Sequence, residues 1–156
     1  KETIDKAIES LKPEAEENKI EMISNVVDFT IKHDQERIIQ VITNLIKNSL
    51  VAIEPNPGKI EILMENLPTE IKISVKDNGV GIPQEKQKDL FKKFYQVDAT
   101  LTRERGGSGL GLAICKGIID NHMGKISVES IPNQGATFSF TIPKSSEQTN
   151  SPINSA

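Results

Sequence analysis

Hydrophobic residues recur every three to four positions in several stretches of the chain, which is the spacing expected of amphipathic helices. The longest stretch predicts a helix from Asp34 to about Ile53, with Asp34 as its N-cap. The same spacing predicts helices from Leu110 to about His122 and around Gln84 to Phe91. A further helical segment is expected within residues 1–19, where Pro13 interrupts the pattern.

Hydrophobic and polar residues alternate in other stretches, as they do in half-buried strands. Lys59 to Glu65 and Glu70 to Lys76 are separated by the turn-forming run Asn66-Leu67-Pro68-Thr69, which predicts a β-hairpin. Further strands are expected at residues 20–22, 26–31, 126–130 and 136–142. Because helices and strands are intermixed and antiparallel pairs are present, the predicted fold class is α+β, with helices over one face of a mixed sheet.

Length and composition narrow the class of protein. A chain of 156 residues suits one domain. We place this domain at residues 20–143, after an N-terminal helical segment or linker at 1–19 and before a disordered tail at 144–156. The 19 basic and 22 acidic residues give a net charge of −3, which argues against a nucleic-acid module with a broad basic face. A single cysteine excludes an intrachain disulfide framework and a multi-cysteine zinc site.

The chain begins with Lys1 instead of Met, and it contains no apolar run of the roughly 20 residues that span a membrane. No signal-peptide pattern opens it. We therefore expect a soluble cytoplasmic domain that belongs to a longer protein, with any membrane attachment left to the missing parts.

Three amide side chains follow one stripe of the longest predicted helix. Gln40, Asn44 and Asn48 are spaced four apart, so they lie above one another at the border of the apolar face. Amide oxygens gathered there suit a cation, and Mg²⁺ prefers oxygen ligands. Solvated amides, or amides bonded to protein partners, would explain the stripe equally well.

Asp77 ends a predicted strand, and Gly79 and Gly81 follow it closely. A carboxylate in this position can accept a hydrogen bond from an exocyclic amine, and the glycines let the backbone approach a flat ligand. An ordinary strand-ending turn is the alternative, because Asp-Asn-Gly favours turns.

A glycine-rich run, Gly106-Gly107-Ser108-Gly109-Leu110-Gly111-Leu112, leads into a predicted helix. Backbone N–H groups and the positive end of the helix dipole suit a phosphate group there. The run is not the dinucleotide-binding fingerprint, since the third glycine spacing is absent, and it is not a Walker A loop, since no Lys-Ser/Thr pair closes it. It predicts a phosphate loop of another kind or a flexible hinge.

Taken in order, these motifs resemble the ATP-binding catalytic domain of two-component sensor histidine kinases, within the GHKL superfamily, from about Asp34 to Pro143. The matching runs are Leu45-Ile46-Lys47-Asn48, Asp77-Asn78-Gly79-Val80-Gly81-Ile82, Phe91-Lys92-Lys93-Phe94-Tyr95, Gly109-Leu110-Gly111-Leu112-Ala113-Ile114 and Gly135-Ala136-Thr137. The resemblance implies a Bergerat fold, a sandwich of three helices on a mixed sheet of about five strands that holds Mg·ATP between its layers.

The resemblance also assigns roles to residues. It implies that Asn48 ligates Mg²⁺, that Asn44 supports the phosphates or the water around the metal, and that Asp77 accepts from the adenine amine. It places Thr137 beneath the adenine near Asp77. The base pocket is then completed by Gly79, Gly81 and Ile82. The lid of the site runs from Tyr95 to Gly107, with Phe91 and Phe94 as anchors; without the resemblance these two would be ordinary core aromatics. The remaining ATP-binding positions are Gly107, Ser108, Gly109, Leu110, Gly111 and Leu112.

Two positions depart from related patterns. Topoisomerase and chaperone ATPases of the superfamily carry a Glu where Asn44 stands, and that carboxylate can act as general base on water. An amide cannot accept a proton from water at neutral pH, so Asn44 favours a kinase over a hydrolase. Val51 replaces a Lys that reaches the phosphates in many of the kinases. The negative charge of the phosphates must then be neutralised by Lys47, Arg103 or Arg105, unless the lid arginines are merely solvated.

The resemblance implies a protein histidine kinase that transfers the γ-phosphoryl group of ATP to a histidine on a separate dimerisation domain, with a response regulator as the eventual acceptor. His33 lacks the surroundings of such a phosphoacceptor and is expected in a loop, so the chain alone should not autophosphorylate. His122 is expected as a capping or surface residue, and Cys115 as a small core residue. A degenerate, non-catalytic nucleotide- or protein-binding module of the same fold is the alternative, and a true ATPase is a third reading.

Overall fold

The computed structural model describes residues 1–53, 57–96 and 109–145. Within these ranges the elements occur in the following order: α1 (Glu2–Glu17), β1 (Ile20–Asn25), α2 (Gln35–Ala52), β2 (Gly58–Asn66), β3 (Glu70–Asp77), α3 (Gln84–Gln87), α4 (Gly111–Asn121), β4 (Ile126–Ile131) and β5 (Gly135–Pro143).

The strands form one mixed sheet in the order β1-β2-β3-β5-β4. β1 runs parallel to β2, and the other neighbouring pairs are antiparallel. A parallel pair needs a crossover connection, which α2 supplies. The predicted hairpin is confirmed, since β2 and β3 pair from Ile60 with Asp77 to Asn66 with Ile71. The predicted α+β class with a mixed sheet of five strands is confirmed as well.

The core lies between α2 and the alternating face of the sheet. Asp34 is the N-cap of α2, and its carboxylate accepts a hydrogen bond from the backbone N–H of Arg37 at 3.2 Å; such a cap contributes about 1 kcal/mol. The buried side chains of this layer include Ile38, Val41, Ile42, Leu45 and Ile46 from α2, and Ile60, Ile62, Ile71, Ile73, Val75, Phe138 and Phe140 from the sheet. The spacing of four along α2 and of two along the strands is what the sequence pattern predicts.

α1 continues through Pro13, where the sequence predicted an interruption. Pro13 is exposed, and a proline inside a helix costs about 3 kcal/mol. Burial of an Ile or Leu side chain stabilises the fold by about 1.5–3 kcal/mol. The side chains of α1 that join the core against α2 are Ile4, Ala7, Leu11 and Ala15. Their burial therefore outweighs the lost backbone hydrogen bond.

Residues 26–31 form no strand, although their pattern predicted one. β1 is at the edge of the sheet and ends at Asn25, which is in register with Leu63 of β2. The chain then leaves the sheet, and Val26, Phe29 and Ile31 pack on the core as partly buried side chains. Val27, which alternation would place on the same face as Phe29 and Ile31, is exposed, so the pattern of this segment predicted neither the strand nor its buried face correctly.

Two other boundaries differ from the prediction. The helix expected around Gln84 to Phe91 is confined to α3, and the Phe91 ring instead packs edge-on against Phe138, with centroids 6.5 Å apart. Lys144, the first residue of the predicted tail, donates its backbone N–H to the Thr69 carbonyl at 2.9 Å. The tail from residue 146 onward lies outside the described residues. No helix in the described ranges has the length and hydrophobicity needed to cross a bilayer.

Candidate functional site

Asp77 lies where the end of β3 meets the start of β5 and the last turns of α2, and it is 3% exposed. Its Oδ1 accepts hydrogen bonds from the backbone N–H groups of Gly79 at 2.9 Å and Ala136 at 3.3 Å. Its Oδ2 accepts from the hydroxyl of Ser49 at 2.9 Å. Burial raises the pKa of Asp77 above its ordinary value, and the three hydrogen bonds oppose that rise.

This environment leaves Asp77 with unused acceptor capacity. An ionised carboxylate offers about four lone-pair positions, and three are occupied. Within the described residues, no cation contributes to its pKa, although a buried carboxylate without a cation is costly. A strand-ending turn explains the bond from Gly79 but not the burial or the bond from Ser49. The arrangement suits a donor that a ligand brings to Oδ2.

Thr137 is not beside Asp77, contrary to the prediction. It is in register with Lys76 in the β3–β5 ladder, and successive strand residues face opposite sides of a sheet. Its side chain therefore lies on the face opposite to the Asp77 carboxylate. Ala136 takes the predicted position, through its backbone N–H. The resemblance pointed to Thr137, because its side chain is the one in the Gly-Ala-Thr run that can form hydrogen bonds. The strand register instead brings Ala136 to Asp77.

Two glycines permit the close packing around Asp77. Gly135 has φ of +93°, and a Cβ there would lie 1.9 Å from the carbonyl oxygen of Asp77. A Cβ on Gly79 would lie 2.5 Å from the carbonyl oxygen of Ala52, at the end of α2. Both contacts are impossible for a side chain, so these positions require glycine.

A polar network holds the loop that follows Asp77. Gly81 packs against the backbone of Ile131. The backbone N–H of Ile82 donates to Ser130 Oγ at 2.8 Å, and this hydroxyl donates to the Gly135 carbonyl at 2.7 Å. Gln87 Nε2 donates to the carbonyls of Ile82 and Ser130, at 2.9 Å each. The predicted base-pocket residues Gly81 and Ile82 are therefore tied to the β4–β5 turn.

α4 packs on α2 beside Asn44. Asn44 Nδ2 donates to Cys115 Sγ at 3.7 Å, and the Cys115 thiol donates to the Val41 carbonyl at 3.8 Å. Burial raises the pKa of Cys115 to about 11, so the thiol stays protonated at neutral pH. The nearest atom to a Cβ built on Gly111 would be Asn44 Cγ, at 4.0 Å. The predicted residues Asn44 and Gly111 are therefore neighbours, and the amide nitrogen of Asn44 has a protein partner.

α2 connects this contact to Asp77. Asn48 is half-buried one turn after Asn44, and Ser49 follows it directly. Lys47 is exposed beside these amides, and Val51 is 37% exposed one turn further on. One helix thus carries both predicted asparagines and the hydroxyl that bonds the carboxylate.

Residues on either side of the predicted lid segment meet at a backbone hydrogen bond. The N–H of Phe94 donates to the Gly109 carbonyl at 2.9 Å, and Gly109 has φ of +71°. Phe94 is 74% exposed, so of the two predicted anchors only Phe91 is a core aromatic. Tyr95 and Leu112 pack partly buried against the core, and Leu110 precedes α4 directly. The predicted residues outside the described ranges are Arg103, Arg105, Gly107 and Ser108.

Both histidines of the chain are engaged by neighbours. His33 lies in the loop before α2, where its ring nitrogens contact Thr3 Oγ1 at 3.0 Å and the Ile31 carbonyl at 2.9 Å. His122 is the C-cap of α4, and its Nε2 accepts the backbone N–H of Asp34 at 3.1 Å while Nδ1 lies 2.8 Å from a carbonyl of α4. The loop and capping positions expected of them are confirmed.

Several contacts of the site were missed in the sequence. Ser49 had a signal, because a hydroxyl on a stripe of Ile and Leu needs a buried partner. Cys115 was expected only as a core residue. Ser130 and Gln87 occupy ordinary polar positions in the sequence, so nothing local marked them.

Comparison with known proteins adds independent findings. Residues 33–146 match the protein family described as histidine kinase-, DNA gyrase B- and HSP90-like ATPases. The chain is 40% identical over 136 residues to the sensor histidine kinase WalK of Bacillus subtilis (strain 168). The aligned region covers 85% of this chain and 22% of WalK. It superimposes on the nucleotide-free catalytic domain of histidine kinase ThkA with a TM-score of 0.78 at 34% identity, over 92% of each chain. A structure of ThkA in complex with the response regulator protein TrrA matches with a TM-score of 0.76 at 33% identity, over 94% of this chain and 41% of that one.

Proposed function

Because the chain belongs to the family of histidine kinase-, DNA gyrase B- and HSP90-like ATPases and is homologous to sensor histidine kinase catalytic domains, we propose that it binds Mg·ATP and donates the γ-phosphoryl group to a histidine on a separate dimerisation domain. A response regulator aspartate would receive the group next. The chain spans 22% of WalK, so the dimerisation domain and any membrane attachment would belong to other parts of a longer protein, with this domain in the cytoplasm.

The spare acceptor position of Asp77 carries the proposal. The exocyclic amine of adenine is a donor, and it would complete the hydrogen bonding of Oδ2 in a buried site. Guanine carries a carbonyl oxygen at the corresponding ring position, and two acceptors would then face each other. The site therefore favours adenine over guanine.

The amides of α2 suit the phosphate end of the nucleotide. Mg²⁺ in nucleotide sites takes few protein ligands and fills its coordination with phosphate oxygens and water. Among the described residues, no three His, Cys, Asp or Glu side chains are grouped so that they could hold a metal ion. An oxygen ligand from Asn48, with Asn44 supporting the phosphates or the surrounding water, fits that preference. When bound, Mg²⁺ neutralises phosphate charge.

The nature of Asn44 supports transfer to histidine over hydrolysis. Water must lose a proton as it attacks phosphorus, and an amide cannot accept that proton at neutral pH. A neutral imidazole nitrogen attacks with its own lone pair: the N–P bond forms, the bond from phosphorus to the bridging oxygen breaks, and ADP leaves. Both ring nitrogens of His33 and of His122 have partners, which supports an acceptor on another domain.

Val51 favours one alternative, a non-catalytic nucleotide- or protein-binding module of the same fold. It is 37% exposed, at the position where many of the resembling kinases carry a phosphate-contacting Lys. Lys47 is exposed on the same helix and would have to supply that charge.

Calorimetric titration of the chain with ATP, ADP and GTP, each with and without Mg²⁺, tests the proposal. We expect one site that prefers adenine nucleotides and responds to Mg²⁺. Absence of binding at millimolar nucleotide would overturn it. A chain that binds Mg·ATP but transfers no phosphoryl group to the dimerisation domain of its parent protein would establish the binding-module alternative.

A further inference from the structure

We propose that Cys115 is a positioning residue that sets the orientation of the Asn44 side-chain amide, and this inference rests on the proposed function. The contact joins two helices, since Asn44 belongs to α2 and Cys115 to α4. Neither the sequence motifs nor the proposed catalytic roles assign a function to Cys115.

Hydrogen-bond chemistry determines the polarity of this contact. The Val41 carbonyl can only accept, so the Cys115 S–H donates to it across 3.8 Å. The sulfur then has only lone pairs to offer Asn44, which donates through Nδ2 across 3.7 Å. Cys115 is fully buried, so water does not compete for either contact.

The orientation matters because the two ends of an amide have nearly the same shape and opposite chemistry. With Nδ2 directed at the sulfur, the carbonyl oxygen of Asn44 points to the opposite side of the Cβ–Cγ bond, in the same plane, and is available as an acceptor for the water around the metal. A reversed amide would present N–H donors to the water around the metal, whose hydrogens need an acceptor. Gly111, one turn earlier on α4, has no side chain that could take over this task.

A matched pair of substitutions isolates the hydrogen bond. Cys115→Ser and Cys115→Ala both remove the sulfur and leave space in the core, more in the alanine variant, but only the serine can still accept from Asn44 and donate to Val41. We expect Cys115→Ala to weaken Mg·ATP binding about 5-fold, the value of one hydrogen bond, and Cys115→Ser to restore most of that loss. Binding of adenosine, which has no phosphates, should be the same in both variants and in the unaltered chain.

A double-mutant cycle with Asn44→Ala supplies the decisive readout, because Cys115→Ala should have no further effect on Mg·ATP binding once the amide is gone. Ile119→Val is the packing control: it trims another fully buried side chain of α4 and should change the two affinities equally or not at all.

The outcomes separate the two proposals. Equal losses in the Ser and Ala variants, a parallel loss of adenosine binding, or a further loss on the Asn44→Ala background would show that Cys115 acts through packing and would overturn the inference. Unchanged Mg·ATP affinity in Cys115→Ala would overturn the inference alone. Absence of Mg·ATP binding by the unaltered chain would overturn the proposed function together with it.

Discussion

The substitution Asp77→Asn should separate nucleotide binding from folding. The new Oδ1 can keep the two hydrogen bonds from Gly79 and Ala136. The new amide nitrogen replaces Oδ2, and the Ser49 hydroxyl can turn from donor to acceptor toward it. Every hydrogen bond of the unliganded fold therefore has an equivalent in the variant.

The substitution is expected to lower the affinity for ATP. The second N–H of the introduced amide would occupy the position left for the adenine amine, so two donors would face each other. Rotation of the amide by 180° would instead direct its nitrogen at two backbone N–H donors, which is the larger penalty. One unsatisfied buried donor costs about 1–3 kcal/mol, which corresponds to a loss of about 5- to 150-fold in ATP affinity.

Calorimetry with ATP and inosine triphosphate measures this effect. Hypoxanthine has a carbonyl oxygen where adenine has its amine, so the variant should bind inosine triphosphate better relative to ATP than the unaltered chain does. Asp120→Asn is the control, because it makes the same change of charge at an exposed carboxylate of α4 paired with Lys116. Unchanged ATP affinity in Asp77→Asn, with an unchanged preference between the two bases, would refute the assignment of Asp77 to the adenine amine.

Four other outcomes are expected. The raised pKa of Asp77 means that the folded chain holds this proton where the unfolded chain has released it, so the contribution of Asp77 to the free energy of unfolding should fall as pH rises above about 3.9, the ordinary aspartate pKa. Urea unfolding between about pH 3.5 and pH 7 should show that the free energy of unfolding of the unaltered chain falls relative to that of Asp77→Asn as pH rises; parallel pH profiles would contradict it. Ser49→Ala should lower the free energy of unfolding at neutral pH by about 1.5–3 kcal/mol, since it removes a donor from a buried carboxylate; an unchanged urea midpoint would mean that the hydroxyl contributes nothing. Asn44→Glu should raise steady-state phosphate release, because it adds a general base; an unaltered rate would show that hydrolysis is limited by something else. The Cys115 variants described above complete the set.

Much of the fold could be predicted from local patterns. The α2 boundaries, its Asp34 cap, the β2–β3 hairpin and α4 all follow from periodicity and from end signals that involve near neighbours in the chain. The errors came where packing overrode a local rule. Pro13 did not end α1, because buried side chains hold the helix on α2, and residues 26–31 did not become a strand, because the chain leaves the edge of the sheet there.

The candidate site divides in the same way. The sequence by itself singled out Asp77 and Asn44 as candidate site residues, because each stands in a short motif whose chemistry can be recognised. Only the tertiary structure decided their partners: Ser49 reaches Asp77 across 28 residues, Ala136 reaches it across 59, and Cys115 reaches Asn44 across 71. The choice of Ala136 over Thr137 depends on the register of β5 against β3, and the choice of Cys115 depends on how α4 packs against α2. Register and helix packing are set by the whole core, so no local pattern along the chain contains them.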